Sequence, residues 1–167
     1  MKKLLLIACL MALTYTASAQ TLRFAHFSYE TVLAAMPDYS AAQQRLQTLR
    51  QQYDAESRRM ADEFNNKYED FLEAYHTLAP SILNKRQAEL QELMQRGTAF
   101  REEAQQQLKQ AEEEQMKPVR ERLDRAVQQL GRQRAYAFIL NTDGQSVPYV
   151  DATLGDDITD TLKDLLH

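Results

Sequence analysis

From Asp38 to Leu78 the chain meets neither a glycine nor a proline. Its larger apolar side chains fall at Leu46, Leu49, Tyr53, Met60, Phe64, Tyr68, Phe71, Tyr75 and Leu78. With Ser57 filling one gap, the steps between them alternate between three and four, the period of a helix with one apolar stripe. Leu49, Met60 and Phe71 are eleven residues apart, as are Tyr53, Phe64 and Tyr75. An eleven-residue repeat corresponds to about 3.67 residues per turn, which predicts a nearly straight or slightly right-handed seam. At about 1.5 Å per residue the helix reaches roughly 60 Å. A helix of that length, apolar on one side only, needs a partner to cover its stripe.

The partner follows at once. Leu78-Ala79-Pro80-Ser81 interrupts the run, and Pro80 can open a second helix because the first helical position needs no N–H. The second run places Ile82, Leu83, Leu90, Leu93, Gly97, Phe100, Ala104, Leu108 and Ala111 at helical spacing, with Leu90, Gly97, Ala104 and Ala111 in a strict seven-residue column. Two long helices joined by so short a turn lie antiparallel, which buries both stripes. Pro118 falls inside this run and is expected to kink or break it. The period resumes at Val119, Leu123, Val127 and Leu130, with Gly131 as the expected C-cap.

Strand signals occupy the two ends. Leu22-Arg23-Phe24-Ala25-His26-Phe27 alternates, and Ser28 can cap a short helix that Pro37 stops. Beyond the hairpin, Tyr136 to Leu140 reads as a buried strand, Asn141-Thr142-Asp143-Gly144 as a turn, and Val147 to Val150 as a short strand, on an edge because of Pro148. Asp156-Asp157 is expected to open a last short helix with Ile158, Leu162, Leu165 and Leu166 on one face. The expected fold is therefore mainly α. A long antiparallel hairpin (39–130, tip near 78–81) projects from a small mixed α/β body built by 20–38 and 131–167. So small a body buries little apolar surface, which makes oligomerisation through it the economical way to stabilise it. The apolar strand residues Leu22, Phe24, Phe27, Phe138, Ile139 and Leu140 are the candidates for that contact.

Residues 1–19 read as an export segment. Lys2 and Lys3 precede the apolar run Leu4 to Leu13, too short to span a bilayer, and Ala17-Ser18-Ala19 supplies a small-x-small cleavage pattern ahead of Gln20. A competing reading takes Leu6-Ile7-Ala8-Cys9 as a lipobox with Cys9 lipidated, but it strands Leu10 to Leu13 on the mature side. Cleavage removes the two lysines and no acid, taking the formal charge from −4 to −6. An acidic chain suits nucleic-acid phosphates poorly, so nucleic acid is not an expected partner. Cys9 is the only cysteine, so the mature chain holds neither a disulfide nor a thiol nucleophile.

In order and spacing these features resemble the OmpH/Skp family of periplasmic chaperones. The features that carry the resemblance are the short helix ending Ala35-Met36-Pro37-Asp38-Tyr39, the long hairpin, the Tyr136 to Leu140 strand, Tyr149-Val150-Asp151-Ala152, and the closing Gly155-Asp156-Asp157-Ile158-Thr159-Asp160-Thr161-Leu162. The resemblance implies a homotrimer of β-rich bodies whose arms enclose unfolded outer-membrane proteins in the periplasm, without ATP or any other cofactor. In the best-known members the arms are strongly basic. Here residues 40–130 hold 14 Lys or Arg against 16 Asp or Glu, so no lipid-binding site is carried over.

No enzymatic constellation stands out. His26, His76 and His167 follow no metal-ligand spacing, and no nucleophile elbow or phosphate loop is present. Glu112-Glu113-Glu114 points around a helix instead of converging. The informative side chains are the aromatic stripe: Tyr53, Met60, Phe64, Tyr68, Phe71 and Tyr75. They read first as hairpin core and second as a client-facing surface, since a tyrosine ring can make apolar contact while its hydroxyl stays wet. Met60, Met94 and Met116 add adaptable side chains. A rival role is that of an exported adaptor or spacer that recognises one partner through the tip, around Tyr75 to Ile82.

Overall fold

Two prolines divide the helical part of the chain. A residue before proline is pushed out of the α region, and both Met36 (φ −73°, ψ 129°) and Ala79 (φ −64°, ψ 147°) are extended. Pro37 and Pro80 each then occupy the first turn of the next helix. The computed structural model describes residues 22–144, 147–151 and 153–167; the export segment expected over residues 1–19 lies outside them. In chain order the elements are β1 (Phe24–Phe27), α1 (Tyr29–Ala35), α2 (Pro37–Ala74), α3 (Pro80–Gln133), β2 (Phe138–Asn141), β3 (Gly155–Asp157) and α4 (Thr159–Leu166). Ser28 caps α1, its hydroxyl accepting from the Thr31 N–H at 3.1 Å.

The helices α2 and α3 form the expected antiparallel hairpin. Near the body Arg122 pairs with Asp38, and Arg45 donates to the Gln115 side chain at 3.1 Å. Farther out, the Tyr53 and Phe100 rings stand 5.9 Å apart. The helix α2 ends at Ala74, where the Thr77 and Leu78 N–H groups close the turn on the Ala74 carbonyl.

The two chain ends meet in a three-stranded parallel sheet of order β2-β1-β3. Phe24 is in register with Phe138 on one side and Gly155 on the other. Ala25 and Phe27 face inward, onto a core that also holds Val32, Met36, Ile158, Leu162 and Leu166. The hairpin base completes it with Ala42 and with Met116, Val119, Leu123, Ala126 and Leu130 of α3.

Several local expectations are corrected. The strand expected to lie buried over Tyr136 to Leu140 is β2, an edge strand of the sheet, with Phe138 and Asn141 exposed and Ile139 and Leu140 half-buried. Of the kink or break expected at Pro118, the break does not occur, and α3 runs through it. Proline in a helix costs about 3 kcal/mol, but the flanking Met116, Val119 and Leu123 are buried and each contributes about 1.5–3 kcal/mol. Gly131 is not a C-cap but lies within α3. A Cβ there would come 3.2 Å from Ile139 Cδ1, so the glycine lets β2 sit close on the helix. The strand expected over Val147 to Val150 is irregular chain, and the third strand is Gly155–Asp157. Asp156 and Asp157 therefore lie in a strand and α4 begins at Thr159. Asp157 still caps it from outside, accepting from the Thr159 N–H at 2.9 Å. Gly-Asp-Asp has no strand propensity of its own; pairing with β1 imposes its conformation.

The helix α3 closes on an unusual residue. Ala135 has φ +55°, the left-handed cap position that glycine favours, with the Tyr136 N–H returning to the Gly131 carbonyl at 3.0 Å. Ala135→Gly should therefore raise stability by about 0.5–1 kcal/mol, read as a higher urea midpoint. A lower midpoint would contradict the cap assignment.

A polar clasp crosses the start of all three strands. Asp156 accepts from the Tyr136 hydroxyl and from Arg23, whose guanidinium also lies 5.4 Å from the Tyr136 ring centroid. The Tyr136 hydrogen bond, helped by Arg23, holds the Asp156 carboxyl below its ordinary value. The hydrogen bonds from Thr159 and Thr153 do the same for Asp157 and Asp151. A carboxylate with a lowered folded-state pKa adds stability that is complete above about pH 4 and is lost as pH falls through the lowered values. The melting temperature should accordingly drop as pH falls from about 4 toward 2. Asp156→Asn should lower it at pH 7 and make the acid slope shallower; a slope as steep as wild type would refute the clasp.

Candidate functional site

The hairpin is thick at its base and thin toward its tip. Leu46 is the last fully buried side chain of α2. Beyond it, Leu49, Tyr53, Met60, Phe64 and Phe71 are half-buried, while Tyr68 and Tyr75 are exposed. Across from them α3 buries Leu90, Leu93 and Ala104, and Gly97 adds no side chain. A two-helix pair covers each helix on one side only, and the small residues of α3 cannot cover broad rings. The rings therefore pair along their own helix at i,i+4 spacing. Phe64 stacks on Tyr68 at 5.9 Å and 7°, and Phe71 meets Tyr75 edge-on at 5.7 Å.

This leaves an open groove of about 370 Å³. Phe64, Tyr68, Phe71 and Tyr75 form one wall, and Gln87, Leu90, Gln91 and Met94 form the other. A second depression of about 130 Å³ continues toward the body beside Met60, Ala61, Leu93 and Gly97, sharing Phe64 and Met94 with the first. Of the six stripe residues named from sequence, four line the groove and Met60 lines its continuation. Tyr53 instead faces Phe100 within the hairpin.

The sequence stripe did not reveal the opposite wall. Met94 is 57% exposed because it sits one position beyond buried Leu93, off the apolar column of α3. Gln87 and Gln91 precede Met94 by seven and three residues on the same face and carried no apolar signal. Met116 belongs to the core and not to any open surface.

Charge on the arms is dispersed. Arg59 pairs with Glu56 and Glu63, Lys85 with Glu89 and Arg96 with Glu92, all within one helix. The Arg59 hydrogen bond pulls the Glu56 carboxyl below its usual value. Among the described residues no group of three or more His, Cys, Asp or Glu could hold a metal ion.

On the body, strand alternation sorts the other six candidates. Phe24 and Phe138, paired in register, point outward and stack at 5.4 Å and 16°, with 67%-exposed Leu22 preceding them. Phe27 and Ile139 point the other way, Phe27 into the core and Ile139 against it; Leu140 is half-buried. Gly155 makes room for the Phe24 ring, since a Cβ there would lie 2.4 Å from it. Tyr149 and Leu154, which sequence reasoning did not single out, are also strongly exposed.

A family model described as outer membrane protein (OmpH-like) matches residues 23–166, which span every element of the fold. The chain belongs to the OmpH-like family. The crystal structure of a candidate outer membrane chaperone (OmpH-like) from Caulobacter crescentus CB15 shares the fold, with a TM-score of 0.74 at 21% identity. That match covers 86% of this chain and 82% of the other. No curated protein matches the chain. In this OmpH-like chain, mutation should separate the arm's packed seam from its open wall. Leu93→Ala should cost about 2–5 kcal/mol, and Tyr68→Ala less than about 1 kcal/mol, in denaturant unfolding. Equal losses would mean that the groove wall is core.

Proposed function

We propose that this protein is an ATP-independent holding chaperone of the periplasm, non-enzymatic, that binds unfolded outer-membrane proteins and prevents their aggregation. The observation that carries this reading is the exposed aromatic and methionine surface of the distal arm. Monomeric proteins rarely leave such surface uncovered unless it meets a partner. Membership of the OmpH-like family supports it, as does the fold shared with a protein described as a candidate outer membrane chaperone. A holder that uses no ATP must bind through contacts weak enough for folding or membrane insertion of the client to compete with. Half-buried rings and a flexible thioether provide shallow, adaptable contact of that kind.

Self-association belongs to the same proposal. The outward face formed by Leu22, Phe24 and Phe138 is the surface through which three bodies would join, so that three arms surround a client. Lipid binding is not part of it, because the arms carry no net positive charge.

Purified protein should suppress aggregation of several unrelated β-barrel proteins diluted from denaturant, without nucleotide. Light scattering should give a mass near three times that of one chain. Binding to a single folded partner would favour the adaptor role instead, and a monomeric mass would rule out enclosure by several arms.

A further inference from the structure

The two depressions on the distal arm form one furrow, and its chemistry is narrower than "apolar". We infer that it takes a short uncharged segment of extended chain, aromatic or aliphatic at alternate positions. This rests on the holding function proposed above and specifies what each arm grips.

Three observations point to that occupant. The first is length. From Gln87 to Arg101 the furrow follows α3 for about 21 Å at the helical rise, which spans about six residues of extended chain. The second is charge. More than a quarter of the chain is charged, yet the groove wall is Phe, Tyr, Leu, Met and Gln without one ionic group. Arg101 stands alone at the body-side end, its guanidinium 3.3 Å from the Thr98 hydroxyl. Burying a client's charge against such a wall, with nothing to pair it, would be costly. The third is polar texture. Gln87 and Gln91 offer amide donors and acceptors beside the apolar floor, which suits a backbone whose own N–H and C=O groups are unpaired. Side chains of an extended segment alternate in direction, so every second one would face the rings.

Gly97 gives a direct handle. A Cβ at this position would meet nothing within 4 Å, so Gly97→Leu fills the depression while replacing a poor helix former with a good one. Met94→Glu places a charge on the shared wall at an exposed position that the fold does not need.

The test is fluorescence anisotropy with labelled octapeptides. One alternates Phe or Tyr with Thr and Gln; its counterparts carry two lysines or two aspartates in place of Thr and Gln. The neutral peptide should bind at least tenfold more tightly than either charged one, and its affinity should change less than twofold between 50 mM and 500 mM NaCl. Met94→Glu and Gly97→Leu should each weaken it at least tenfold, with circular dichroism unchanged. Unaltered peptide affinity in both variants, or a preference for a charged peptide, overturns the furrow assignment. If the wild-type chain still suppresses β-barrel aggregation in that case, the holding function stands. If the peptide is excluded until Met94→Glu lowers the mass in solution, a second copy's arm occupies the furrow and the assignment is equally overturned. If wild type suppresses no aggregation, the holding function itself falls.

Discussion

The fold depends on a four-residue strand that pairs on both of its sides. β1 is bound by β2 along one edge and β3 along the other, and the carbonyls of Arg23, Phe27 and His26 accept from the N–H groups of Ala137, Thr142 and Ile158. Its inward residues, Ala25 and Phe27, supply the floor against which the base of α3 packs. Without it the C-terminal strands would have no common partner, and the core shared with the base of α3 would lose Ala25 and Phe27. The body is therefore less a separate unit carrying an arm than a knot around the arm's own base.

Toward the tip the same hairpin has no third layer among the described residues. Leu46 marks the change on α2, because beyond it the only cover is one facing helix with Leu90, Leu93, Gly97 and Ala104 along its seam. Broad rings placed against small residues cannot be buried, so the choice of side chains opens the groove. The aromatic stripe divides between packed and exposed positions. Tyr53 packs on Phe100 inside the hairpin, while Tyr68 and Tyr75 face out.

Much of this was legible in the sequence, for reasons that can be named. Period, proline placement and the absence of glycine gave the hairpin, because helix geometry is local. Alternation gave β1, a short apolar run gave β2, and the rings from Phe64 to Tyr75 gave one wall of the groove. What was not legible depended on distant partners. Gly-Asp-Asp becomes a strand only beside β1, Gly131 is explained only by Ile139, and Pro118 is held in helix by neighbours buried elsewhere. Met94, Gln87 and Gln91 escaped because a wall opposite an aromatic stripe need not itself be periodic. Phe24 and Phe27 were both candidates for the surface, but an odd separation of three residues on a strand turns them to opposite faces, Phe27 into the core.

The parallel sheet has a consequence for the order of events as the chain emerges. The hairpin can zip from its turn using contacts between near neighbours, a fast process with little loop to close. β1 must instead wait for strands more than a hundred residues downstream, since Phe24 pairs with Phe138 and Gly155. In any vectorial synthesis or export, the arms are thus finished first and the body last. The Phe24–Phe138 face comes into being only once β2 has followed the whole hairpin out.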